Sequence, residues 1–176
     1  MTKYLVLSGM GPDKKGIAKE ISEAAFNSGC SIEDSRMAKL GGEFAILALI
    51  SGDEKALEAF REQEKVLETG TGLALTLRET SARPTANEEN YLPFKVTVVG
   101  LDRTGIVFRV TNLLVRHGVN IGSLETESRH APVSGTPVFH LSLIAEVPAS
   151  VSVRRLREEL GDLCDELNMD YSLEAI

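Results

Sequence analysis

Tryptophan is absent from the sequence, and aromatic residues make up only 5% of it. A sheet that binds single-stranded RNA stacks bases on aromatic side chains of its central strands. The strands here offer Phe44 and Phe139 among aliphatic residues, so RNA binding of that kind is not expected. Cysteine is nearly as scarce. Cys30 and Cys164 lie far apart in apolar contexts, with neither the spacing of a metal site nor the density of a stapled secreted domain. They are expected to be buried, reduced and structural, with no metal and no cofactor. Positive charge is also short, with 19 Lys and Arg against 26 Asp and Glu, a net charge of −7 and a pI near 5.1. Binding a phosphate backbone needs clustered cations, and the cations here are scattered among acids, so no direct contact with nucleic acid is expected. No apolar run approaches the roughly 18 residues of a membrane span, and Met1-Thr2-Lys3-Tyr4 runs into a strand pattern without the layout of a signal peptide. No membrane association is expected, and the expected location is cytoplasmic. The sequence holds neither a GxGxxG run nor a Gly-Lys-Ser/Thr ending, which argues against a phosphate loop.

What the sequence does have is a repeat. Gly11-Pro12-Asp13-Lys14-Lys15-Gly16-Ile17 returns as Gly100-Leu101-Asp102-Arg103-Thr104-Gly105-Ile106, and 100 − 11, 102 − 13 and 105 − 16 all equal 89. The register extends outward, since Gly29 falls on Gly118 and Ile32 on Ile121 at the same offset. Phe44 matches Phe139 at offset 95, so the second copy carries about six extra residues in the loop after His130. In both copies a β-rich run leads in and an amphipathic run leads out, which places each motif at a strand-to-helix turn.

The remaining periodicity supplies the other elements. In the first copy a strand over 3–9 is followed by a helix on Ile17, Ile21, Ala24, Ala25 and Ser28, stopped by Gly29. A half-polar strand over 31–40 turns at Gly41-Gly42 into an apolar strand over 44–50, whose two faces should both be covered, one by helices and the other by another sheet or subunit. A second helix opens at Ser51-Gly52-Asp53 with Leu57, Phe60, Val66 and Leu67 buried, and a strand over 73–77 closes the copy. In the second copy the corresponding elements are strands over 94–99, 119–129 and 137–146, helices over 104–117 and 152–168, and a short strand at 171–173. Strand, helix, strand, strand, helix, strand is the ferredoxin-like order. The expected fold is α+β: two βαββαβ domains over 1–79 and 93–176, each a four-stranded antiparallel sheet with two helices on one face. Residues 80–92, polar and aperiodic with Pro84, read as a linker.

At each turn the glycine at 11 or 100 ends the strand and Asp13 or Asp102 stands where a helix N-cap belongs. The glycine at 16 or 105 leaves room for a ligand to approach the free N–H groups of the first helical turn. Such a turn suits an anion such as a carboxylate. No catalytic set is evident. His117, His130 and His140 sit at a helix end, in a loop and on a strand, and no nucleophile stands beside a base. Two rivals share the topology. An acylphosphatase-like hydrolase would draw on Arg103 and Asn120, and a ligand-free interaction module would pack both turns tightly.

The doubled Gly-x-Asp-x-x-Gly-Ile motif, with the helix that follows and then Ser31-Ile32 or Val119-Asn120-Ile121, resembles ACT domains, which are βαββαβ regulatory modules. Two in tandem over nearly the whole sequence, with the segment from Gly29 to Phe44 and Ala82-Arg83-Pro84, are similar to tandem-ACT repressors of the glycine cleavage system. The resemblance implies a non-enzymatic regulator that senses a small amino acid, glycine foremost, and represses by contacting a DNA-bound transcriptional activator protein. A homodimer is compatible with it. ACT domains bind amino acids where units pair, through the strand-to-helix loop and the start of the next strand. Carried onto this sequence, the ligand-binding residues are Met10, Gly11, Asp13, Gly16, Ile17 and Ile32 in the first copy. In the second they are Leu101, Asp102, Gly105, Ile106, Asn120 and Ile121. The second copy has the fuller motif, with Asn120 where the first has Ser31 and Arg103 where the first has Lys14.

Overall fold

The computed structural model describes residues 2–81, 90–130 and 135–176. Most of the expected linker and part of the extra loop after His130 lie outside the described residues. The chain divides into two compact units, 1–83 and 84–176.

The first unit runs β1 (Lys3–Pro12), α1 (Ile17–Asn27), β2 (Ser31–Leu40), β3 (Glu43–Gly52), α2 (Glu54–Glu62), α3 (Glu64–Thr71) and β4 (Ala74–Thr80). The second runs β5 (Tyr91–Leu101), α4 (Ile106–Arg116), β6 (Asn120–His130), β7 (Pro137–Pro148), α5 (Val153–Leu167) and β8 (Met169–Ala175). Each sheet is antiparallel, in the order β2-β3-β1-β4 or β6-β7-β5-β8. The ferredoxin-like order read from the repeat is therefore the fold of both units.

Each core lies between the sheet and its helices, and the two cores repeat position by position. Helix α1 buries Ile17, Ile21, Ala24 and Ala25, and α4 buries Ile106, Val110, Leu113 and Leu114, the same stripe shifted by 89. Facing them, Leu5 and Leu7 of β1 correspond to Phe94 and Val96 of β5. The second helix of each unit starts on a side-chain cap: Asp53 accepts from the Ala56 N–H at 2.8 Å, and Ser152 accepts from the Arg155 N–H.

Two expectations need correction. The second helix of the first unit is two helices, α2 and α3, meeting at Gln63, whose side chain donates to Ser28 Oγ at 2.6 Å. This break turns Val66 outward while Leu67 stays buried. On β3 Ile46, Ala48, Ile50 and Ser51 are buried, and Leu47 on the other face is 51% exposed. Strands β1 and β5 also run past the glycines taken as their ends, pairing through Gly11 with Phe44 and through Gly100 with Phe139.

Both cysteines are buried, and burial raises both thiol pKa values, with Cys164 pushed up to about 11. At pH 8 the native Cys164 is accordingly a thiol rather than a nucleophilic thiolate. Titration with a disulfide reagent should show slow labelling of Cys164 in the native chain and fast labelling in denaturant. Equal rates would contradict its packing against the second core. Among the described residues no helix is long and apolar enough to cross a membrane.

Candidate functional site

The two strand-to-helix turns are built alike. After β1 the chain passes across the end of β3 to the β2–β3 hairpin, where the Asp13 N–H donates to the Gly42 carbonyl at 2.9 Å; the Asp102 N–H donates likewise to Pro137 at 3.1 Å. The carboxylates do not cap the helices, contrary to the expectation from sequence. The N-cap residues are Gly16 and Gly105, with φ of 97° and 93° and no side-chain cap. Each aspartate instead reaches the strand beyond the hairpin. Asp13 pairs with Lys39 Nζ at 2.5 Å, and Asp102 accepts from Ser128 Oγ at 2.7 Å. Lys39 and Ser128 are themselves a repeat pair, since 128 − 39 = 89. The signal for this contact was thus in the sequence, in the register rather than in either residue type.

The glycines at 16 and 105 serve the left-handed backbone, because a Cβ built there meets nothing within 4 Å. That open space leaves the first N–H groups of α1 and α4 accessible from outside, and intrahelical bonding begins only with Glu20 N–H to Gly16 and Arg109 N–H to Gly105. Gly105→Ala should cost about 1–2 kcal/mol through backbone strain alone. The second unit's melting midpoint should fall by about 4–8 °C for each kcal/mol. A midpoint unchanged by Gly105→Ala would contradict the left-handed cap.

The turns differ in how their charges are used. In the first unit Lys14 donates to the Gly70 carbonyl in the last turn of α3, where a cation also meets the negative end of the helix dipole. Arg103 stands at the same place in the second unit, exposed, and makes no hydrogen bond or ion pair among the described residues. The first turn therefore engages its carboxylate and Lys14 internally, while its second lysine, Lys15, stays exposed. The second turn holds its carboxylate with a neutral hydroxyl and leaves Arg103 without a partner among the described residues.

Of the sequence-predicted residues, each turn gathers its own group. Met10, Gly11, Asp13, Gly16 and Ile17 lie around one turn, and Leu101, Asp102, Gly105 and Ile106 around the other. Met10 and Leu101 are 63% and 47% exposed, whereas Ile17 and Ile106 are buried in the cores and can only support the turn. Ile32, Asn120 and Ile121 stand apart. Ile121 is level with Phe94 across Ala145, and 100 − 94 gives six residues to Gly100, about 20 Å along the strand at ~3.3 Å per residue. Ile32, level with Leu5 across Ile50, is separated from Gly11 by the same six residues. Asn120 donates to the Glu146 carboxylate. Arg103 and Asn120 thus fall at opposite ends of one sheet, and within the second unit they do not form the paired site an acylphosphatase-like mechanism would use. A cleft of about 420 Å³ in the second unit lies away from the turn, between α4 and α5.

Comparison with known proteins agrees with this architecture. The ACT-domain family pattern matches residues 3–78. The glycine cleavage system transcriptional repressor of Escherichia coli (strain K12) is 30% identical over 173 residues, covering 98% of this chain and 90% of that protein. A crystal structure of an unknown protein from Galdieria sulphuraria superposes with a TM-score of 0.81 at 30% identity, covering 100% of this chain and 99% of that one. A second structure, provisionally assigned as a glycine cleavage system transcriptional repressor, gives a TM-score of 0.70 at 27% identity and covers 100% and 98% of the two chains. The chain belongs to the ACT-domain family that includes the glycine cleavage system transcriptional repressor.

Proposed function

We propose that this chain is a non-enzymatic, amino-acid-responsive regulator that represses glycine cleavage genes through protein contact with a DNA-bound activator. The observation that carries the reading is the second strand-to-helix turn, where Asp102, Arg103 (unpaired among the described residues) and the open N-terminus of α4 stand together beside a glycine with free space around it. Such a turn offers a carboxylate a guanidinium and helix N–H donors, and offers an ammonium group the oxygen of Asp102 not taken by Ser128. Those are the two charged ends of a free amino acid. Glycine is the proposed effector because the relatives are named for the glycine cleavage system.

The response is a population shift. Effector bound at the turn must favour one arrangement of the chain over another by a differential affinity, about 1–3 kcal/mol for a typical coupling. Repression then depends on which arrangement meets the activator. The test is a pull-down of the purified chain with the activator bound to glycine cleavage operator DNA, with and without millimolar glycine. Activator binding that changes with glycine supports the reading. Binding that is absent, or indifferent to every amino acid tried, contradicts it.

A further inference from the structure

The cleft between α4 and α5 lies outside the strand-to-helix turn of the second unit. Its cationic wall is α4, which contains no acidic residue and contributes Arg109 and Arg116. Its acidic wall is α5, which contributes Glu159, Asp162 and Glu166. Leu113 and Leu163 form the apolar floor, and Phe108 stands at the rim, 70% exposed. The two ends are closed internally. Arg109 pairs with Glu166 at 2.6 Å, and Glu159 takes His117 and Arg155, both at 2.9 Å. These contacts hold the Glu159 carboxyl below the usual carboxylate range, the His117 bond being the larger cause. Two charges of the lining are left over: Arg116, the last residue of α4, and Asp162 on the opposite wall have no partner among the described residues. In the first unit the equivalents of Phe108 and Asn112 are Lys19 and Glu23, which pair with each other along α1.

A surface with a cationic ridge beside an acidic ridge is complementary to itself. A two-fold axis along the groove places α4 of one copy over α5 of the other, and rotation about an axis parallel to the helices leaves each residue's height along it unchanged. We infer that the α4–α5 face is the homodimer surface of this chain, with Arg116 of each copy meeting Asp162 of the other and the two Phe108 rings covered at the rim. The occupant is a second copy rather than a small molecule. An open groove with polar walls would bury little of a small ligand, whereas ligand pockets enclose most of theirs. Charge complementarity also sets register and partner choice. The inference does not rest on the effector reading, which concerns a different surface.

The experiment is sedimentation equilibrium of the full chain, alone and as Arg116→Asp, Asp162→Arg and the double variant, with circular dichroism confirming the fold of each. The wild type should dimerise, and its dissociation constant should rise with ionic strength. Each single reversal should weaken the dimer about tenfold or more, and the double variant should restore it. A wild type that stays monomeric at its highest soluble concentration overturns the proposal. So does a dimer indifferent to salt or to both single reversals, or a double variant no tighter than the singles. The salt dependence of the unmodified chain keeps the proposal testable should a variant fail to fold.

Discussion

Gly11→Val is expected to lower the first unit's melting midpoint by about 12–24 °C, from a cost of about 3 kcal/mol. A Cβ at this position would lie 2.5 Å from the Gly72 carbonyl oxygen and 3.1 Å from Leu73 Cα. Both atoms are backbone, so no side chain can swing aside, and the turn between α3 and β4 must move as a whole. The cost is large beside the roughly 5–15 kcal/mol that stabilises a typical domain. Gly100 repeats the arrangement, with Met169 Cα at 3.1 Å and the Asn168 carbonyl at 3.2 Å. Gly42→Ala is the control, since a Cβ there meets nothing within 4 Å and its φ is not positive; its effect should stay within about 0.5 kcal/mol. Thermal melts followed by circular dichroism make the comparison. Equal midpoints for Gly11→Val and Gly42→Ala would show that β1 and the α3–β4 turn are not in close approach.

The second large effect concerns binding. Arg103→Ala should weaken glycine binding about 10–100-fold, the loss of a charged hydrogen bond worth about 1.5–3 kcal/mol. Lys14→Ala, at the matching place in the first unit, should change affinity by less than about threefold, because Lys14 is bonded to the end of α3. Arg103→Ala should leave the melting midpoint unchanged, as its side chain is exposed and unpaired among the described residues. Ser128→Lys is the companion variant. It would give the second turn the lysine that pairs with Asp13 in the first, neutralise Asp102 and weaken binding in turn. Calorimetry on the four chains decides this, and equal losses for Arg103→Ala and Lys14→Ala would remove the distinction between the turns.

Much of this was legible in the sequence because the chain states its design twice. Offset 89 alone aligned α1 with α4 down to the four buried residues of each helix, and it placed both turns. What it did not convey was the work of individual residues within the turn. Asp13 looked like a helix cap because aspartate is common there, yet the left-handed glycine three residues later takes the cap position and the carboxylate turns to Lys39. Gly11 and Gly100 looked like strand ends because glycine often is, whereas both strands continue through them and the missing side chain admits a neighbouring backbone. The unequal use of charge was the least legible feature. Lys14 and Arg103 are conservative replacements as letters, and only the fold shows that one is bonded to Gly70 and the other to nothing described. The candidate ligand set assembled from the motif likewise merged two places, since strand geometry puts Ile32, Asn120 and Ile121 about 20 Å from the turns.

The central claim is that the second strand-to-helix turn receives a free amino acid. Isothermal calorimetry of the wild-type chain against glycine, serine and alanine, with acetate and methylamine as single-charge controls, tests it most directly. Saturable heat with glycine that both controls fail to reproduce, and that Arg103→Ala abolishes, is the predicted result. No heat at millimolar glycine, or binding undiminished by Arg103→Ala, would contradict it.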